Sequence, residues 1–137
     1  MNDKILIVDD EVEILNSLKI FMEFHGFEAE VAQSAKEALR LLETQKFTIA
    51  LLDINMPEMN GIELLQEIKQ MDFSVQVIMI TAYTSFDKTL KSLQYGAIDY
   101  VLKPIEDMNV LLELIQESSR RVKRWRKVLK DSVFLKK

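Results

Sequence analysis

The sequence predicts a single α/β domain built on a parallel five-stranded sheet. Short apolar runs alternate five times with amphipathic segments. Three of the runs are largely apolar throughout, as strands covered on both faces must be. Gly26, Gly61 and Gly96 recur every 35 residues, the rhythm of a strand–helix unit, although Gly61 opens a helix while the other two end one. At 137 residues the chain is long enough for one sizeable core.

In chain order, KILIV (4–8) is the first strand. Residues 11–25 follow, with Ile14, Leu15, Leu18, Phe21 and Met22 at helical spacing and Gly26 as the stop. FEAEV (27–31) alternates apolar with acidic residues, which suits an edge strand with one wet face. Ser34 and Glu37 form a capping-box pattern before AKEALRLLE. TIALL (48–52) is the third strand, and Asn60 can cap GIELLQEIK. VQVIMI (75–80) is the fourth; Thr84 with Asp87 opens FDKTLKSLQY, which Gly96 ends. IDYVL (98–102) is the fifth, and a last helix starts at residue 106.

The chain has no cysteine, which excludes disulfides, thiolate catalysis and Cys-ligated metals and fits a reducing cytoplasm. No apolar run reaches the length of a signal peptide core or a membrane span, so the expectation is a cytoplasmic protein without membrane contact. The net charge of −4 conceals an asymmetry: residues 1–117 carry −12 and residues 118–137 carry +8. The acidic body and basic tail suggest two organisational units.

Parallel strands place the residues that follow them at one edge, where ligands bind in open α/β sheets. Asp9, Asp10 and Glu11 follow strand one, Asp53 strand three, Thr81 strand four and Lys103 strand five. Two carboxylates about 4 Å apart repel by roughly 4 kcal/mol at an effective dielectric near 20. Such a nest takes up protons or recruits a cation, and hard oxygen donors suit Mg²⁺. With a lysine and a hydroxyl beside it, the nest forms a site for phosphoryl transfer. The competing reading is a scatter of surface acids at loop starts.

The segments ILIVDDE (5–11), LLDINMPEMNG (51–61), VIMITAY (77–83) and DYVLKP (99–104) resemble, in this order and spacing, the CheY-like receiver domain of two-component response regulators. The resemblance covers residues 1 to about 118. It implies a flavodoxin-like, doubly wound (βα)5 fold with strand order 2-1-3-4-5. It also implies that Asp53 is the phosphoacceptor, served by a histidine kinase or a histidine phosphotransfer protein. Asp10, Asp53 and the backbone carbonyl of Asn55 would hold Mg²⁺, or Mn²⁺ in its place, with Asp9 acting through water. Thr81 and Lys103 would contact the phosphoryl oxygens, and the Lys103–Pro104 bond would be cis. Thr81 and Tyr100 would form the switch that remodels the face of helix four, strand five and helix five for a downstream partner. Asn55 and Tyr83 stand where the lifetime of the phosphorylated state is tuned; an aromatic at Tyr83 and no base at Asn55 lead us to expect slow to intermediate autodephosphorylation. Such a switch assists its own phosphorylation and turns over no separate substrate. His25, the one histidine, sits where the first helix ends, so the donor imidazole must come from another molecule.

The domain is thus expected over 1–118, with 119–137 a basic amphipathic helical extension or linker. Leu111, Ile115, Ser118, Val122, Trp125 and Leu129 are spaced 4, 3, 4, 3, 4, a heptad-like stripe flanked by Lys and Arg. A solvated linker, a homodimer or partner helix seated on Trp125, and packing back on the acidic body all fit this pattern. Contact with nucleic acid or membrane is disfavoured because the acidic body repels the same polyanions. Two other functions compete with a free-standing switch. One is the receiver part of a longer DNA-binding or enzymatic regulator. The other is an Mg²⁺-dependent aspartyl-phosphate phosphatase, whose Asp-x-Asp would need a second Asp where Asn55 stands.

Overall fold

A computed structural model describes residues 3–82 and 85–135, with side chains to residue 132. Strands β1 (Lys4–Val8), β2 (Glu28–Ala32), β3 (Ile49–Leu52), β4 (Gln76–Thr81) and β5 (Ala97–Leu102) alternate with five helices. The helices are α1 (Val12–Phe24), α2 (Ala35–Thr44), α3 (Gly61–Met71), α4 (Phe86–Gln94) and α5 (Met108–Leu135). All strands pair in parallel in the order β2-β1-β3-β4-β5, the doubly wound arrangement anticipated from the sequence.

The central strands are apolar throughout because both faces are covered. Alternation along each strand splits their side chains between two cores. Leu6, Val8, Ala50, Leu52, Val77 and Met79 pack with α2 and α3 residues, while Ile5, Ile7, Ile49, Leu51, Ile78 and Ile80 pack with α1 and α5. Strand β2 is indeed the edge beside β1, one residue later than expected. The shift arises because Phe27 is taken up by the turn that closes α1, its N–H donating to the Met22 carbonyl at 3.0 Å.

Caps set the helix ends. Asn60 and Glu63 close a full capping box on α3. Ser34 caps α2 by accepting from Glu37 N–H, but the Glu37 carboxylate reaches the N–H of Gln33 rather than that of Ser34, leaving the expected box half made. Helix α4 is capped by Ser85, whose hydroxyl accepts from Lys88 N–H; the expected opener Thr84 lies outside the described residues. Gly26 and Gly96 end α1 and α4 with φ of +88° and +105°, where a side chain would be strained.

Helix α5 begins two residues later than expected, after Asp107, whose carboxylate accepts from Asn109 N–H. It then runs unbroken through the expected boundary at 118/119. Its apolar stripe serves the domain for four positions and then leaves it. Leu111, Ile115 and Ser118 are fully buried and Val122 is 4% exposed, whereas Trp125 and Leu129 are 41% and 60% exposed. Two further contacts fasten this stretch, Ser119 hydroxyl to the buried Asp3 carboxylate and Arg121 to Gln76 at 3.1 Å, while Arg121 also pairs with Glu117 one turn back in the same helix at 3.9 Å. Ending the chain after Ser118 should therefore destabilise it. Losing the buried Val122 side chain costs about 1.5–3 kcal/mol, and the lost Ser119–Asp3 hydrogen bond costs about 1 kcal/mol more. Ending it after Arg124 should leave the thermal melt nearly unchanged, and melting curves of the two truncations check both.

Candidate functional site

The ladder of backbone bonds continues one residue past the strands and sets three chemical groups at one level. Asp53 N–H donates to Val8 carbonyl, Asp9 N–H to Ala32 carbonyl and Lys103 N–H to Thr81 carbonyl, at 3.0, 3.1 and 3.0 Å. Asp9, Asp53 and Thr81 are buried, while Asp10 beside them is exposed. The Lys103–Pro104 bond is cis, as expected.

Lys103 Nζ lies 2.5 Å from Asp9 Oδ2, 3.3 Å from Asp53 Oδ2 and 3.9 Å from Glu11 Oε1. The remaining carboxylate oxygens take main-chain donors: Glu11 N–H reaches Asp9 Oδ1 at 2.9 Å and Asn55 N–H reaches Asp53 Oδ1 at 3.3 Å. Ligand oxygens of Asp9, Asp10 and Asp53 all lie within 4.8 Å of one another. Burial pushes the Asp9 carboxyl above its ordinary range, outweighing the pull of Lys103 and of the Glu11 N–H. Burial pulls the Lys103 ammonium down, but its bond to Asp9 and the charges of Asp53 and Asp9 outweigh this and hold it above its ordinary value. Lys103 is therefore a fixed cation, and the Asp9 charge is a cost to the fold.

That cost has a sign in pH. The native state binds the Asp9 proton more tightly than the unfolded chain, so stability from this group falls as pH rises above 3.8 toward the raised native value. In chelator, the gain in melting temperature of Asp9→Asn over the parent chain should grow as pH rises from 3.8; a shrinking gain contradicts the assignment.

The donor set fits a hard divalent cation. Its ligands are all oxygens, and the exposed Asp10 leaves one side of the cluster open to water. Lys103 offsets one of the three carboxylate charges, leaving two for a divalent ion. Asp9, Asp10 and Asp53 could therefore hold Mg²⁺.

The chain matches the response regulator receiver domain family over residues 5–116. It belongs to that family. Among relatives, it is 35% identical over 109 residues to the transcriptional regulatory protein ZraR of Escherichia coli, covering 80% of this chain and 25% of ZraR. A CheY-like receiver from Methanospirillum hungatei superposes with a TM-score of 0.84 at 36% identity, covering 90% of this chain and 99% of that one. The response regulator TrrA of Thermotoga maritima, solved in complex with Mg²⁺ and beryllofluoride, gives 0.76 at 31% identity, covering 85% and 98%. The receiver spans from 23% to 48% of the length of the curated relatives it matches. Receiver domains are phosphoacceptor signalling modules that meet histidine kinases and downstream effectors, and are not enzymes in the ordinary sense. No helix among the described residues is long and apolar enough to cross a membrane.

Of the residues singled out in the sequence, the fold brings Asp9, Asp10, Asp53 and Lys103 together, with Thr81 ending the strand between β3 and β5. Tyr100 is half-buried on β5 against the α2–α3 side core. Asn55 is exposed beyond the acceptor, and Tyr83 lies outside the described residues. His25 ends α1 with its ring tilted against Phe21 and edge-on to Phe24, at centroid distances of 4.5 and 5.2 Å. Sequence reasoning missed the direct Lys103–Asp9 pair, because a strand-end acid and a strand-end lysine 94 residues apart carry no mutual signal. It also missed the groove beside the site, about 530 Å³ and lined by Glu11, Ile14, Ser17, Lys103, Ile105 and Met108 among others.

Proposed function

We propose that Asp53 is the phosphoacceptor of this receiver and that Mg²⁺ is the ion it works with. The juxtaposition of Asp53, Lys103 and two further carboxylates carries this reading. One Asp53 carboxylate oxygen forms a bond to phosphorus as the P–N bond of a donor phosphoimidazole breaks. The electron pair returns to the ring nitrogen, and the imidazole leaves neutral, its other nitrogen keeping its proton. Lys103 and the Thr81 hydroxyl take the phosphoryl oxygens, and their fixed charge and dipole stabilise the transferring group. Asp10, Asp53 and the Asn55 carbonyl, with Asp9 through water, would hold the ion, which would supply charge neutralisation for the phosphoryl group. The donor is a histidine kinase or phosphotransfer protein, and the groove between α1 and α5 opens beside Lys103, where its imidazole must arrive.

Once Asp53 is modified, Thr81 turns toward the new oxygens and Tyr100 fills the space it leaves, biasing the α4-β5-α5 face between two states. Phe86, Leu90, Leu93, Leu102 and Val110 expose apolar surface there, suited to a protein target. Asn55 supplies no base and an aromatic residue type at position 83 favours slow attack by water, so phosphate release takes longer than seconds; a time course with a half-life of seconds contradicts this. Residues 1–118 carry the signalling site, in the cytoplasm, and 119–137 form its basic extension, whose first turn stays packed on the domain through Ser119 and Val122. Trp125, Val128 and Leu129 on that extension give a second copy a seat for a homodimer.

Relatives several times longer favour a second reading, in which the chain is the receiver part of a regulator with an output domain beyond residue 137. The phosphatase reading has Asn55 against it. Incubation with Mg²⁺ and acetyl phosphate, followed by mass and sizing measurements, tests acceptor and dimer together. A chain that gains no phosphoryl mass in Mg²⁺ sinks the proposal.

A further inference from the structure

We propose that Gly61 is a positioning residue for the acceptor: its bare Cα lets the first turn of α3 press on the main chain of Asp53 and fix where the carboxylate stands. The proposal rests on Asp53 being the acceptor. A Cβ at Gly61 would lie 2.1 Å from the Asp53 carbonyl oxygen, 2.7 Å from its carbon and 2.9 Å from Ile54 Cα. All three are main-chain atoms, so no side-chain rotation relieves the contact. Gly26 and Gly96 are needed for their positive φ, whereas Gly61 is outside that region and is needed for space.

Neither side of the contact is free to withdraw. The Asn60–Glu63 box fixes the start of α3, Gly61 N–H donates to the Ile54 carbonyl at 2.9 Å, and Ile62, Leu64, Leu65 and Ile68 are buried in the core. On the other side, Asp53 N–H is tied to Val8 in β1. The acceptor's backbone is thus clamped between β1 and α3. Reaching ordinary carbon contact distance from 2.1 Å would take a shift of about 1 Å or more. A shift of that size would break the 3.3 Å contact between Asp53 and Lys103 and respace the three carboxylates.

The test is Gly61→Ala in the full chain, with rates taken per folded molecule from urea or thermal curves. The maximal rate of labelling by acetyl phosphate should fall about 100-fold, as angstrom-scale misplacement does. Mg²⁺ affinity, read by titration without phosphodonor, should fall about tenfold or more. Gly96→Ala is the control: it strains a φ of +105° against the Lys69 side chain and should lower the melt while leaving rate and Mg²⁺ affinity unchanged. Should Gly61→Ala fail to fold, Asn60→Ala loosens the same helix start without added bulk, and should slow labelling where Asn60→Ser restores it. The proposal is overturned if folded Gly61→Ala labels and binds Mg²⁺ like the parent, or if Gly61→Ala does not fold and Asn60→Ala labels at full rate. A parent chain that does not label at all removes the acceptor assignment as well, which separates the two failures.

Discussion

Asp53→Asn should abolish Mg²⁺-dependent labelling by acetyl phosphate while leaving the chain folded. An amide in place of the carboxylate keeps the shape and the contact with Asn55 N–H, but it lacks the nucleophilic oxygen pair. The alternatives within reach are poorer. Asp9 is engaged by Lys103 at 2.5 Å and by the Glu11 N–H, and Asp10 stands exposed, away from the main-chain clamp on Asp53. Removing one of three clustered carboxylates also relieves repulsion, so the variant should melt no lower than the parent in chelator. Intact-mass measurement and a melt read both outcomes. A phosphoryl adduct persisting at parental levels in Asp53→Asn would falsify the acceptor assignment.

Lys103→Met is expected to separate two properties that usually fall together. Lys103 is the cation within 4 Å of both Asp9 and Asp53, and its stem is mostly shielded from solvent. Removing one such preorganised donor from a site where charge develops costs about 10²–10³ in rate, and labelling should slow by that factor. Mg²⁺ should nevertheless bind more tightly, because the competing ammonium is gone and the full charge of the acidic cluster faces the ion. Titration of Mg²⁺ against each protein, beside a labelling time course, reads both. Weaker Mg²⁺ binding in the variant would mean that Lys103 organises the cluster rather than competing for it.

Much of this was legible in the sequence because the signals are local or periodic. KILIV, TIALL and VQVIMI are apolar on both faces, and only strands buried on both sides call for that, so the parallel sheet and its ligand-binding edge followed. The site followed from the sheet, since a residue just after each strand needs no side-chain information to be placed at that edge. Ends were less legible. Phe27 reads as strand by its neighbours in FEAEV, yet the closing turn of α1 claims it. The boundary at 118 follows the extent of the family resemblance and sits beside the change in charge sign, but packing is indifferent to both: Ser119 and Val122 face inward while Arg120 and Lys123 on the same turns face outward. The Gly61 contact with Asp53 was also out of reach, because main-chain proximity across a loop leaves no trace in residue type beyond the glycine itself.

The way α5 leaves the domain has a mechanical outcome. Residues 123–135 continue the helix past Val122, its last buried position among the described side chains, a span of about 20 Å at 1.5 Å per residue. Because Ser119, Arg121 and Val122 rivet its root to Asp3 just before β1, to Gln76 of β4 and to the core, the free part cannot swing independently. It is a lever arm: a few degrees of tilt at its root moves the Trp125–Leu129 surface by about half an ångström, carrying a small rearrangement of the domain out to the exposed end of the helix.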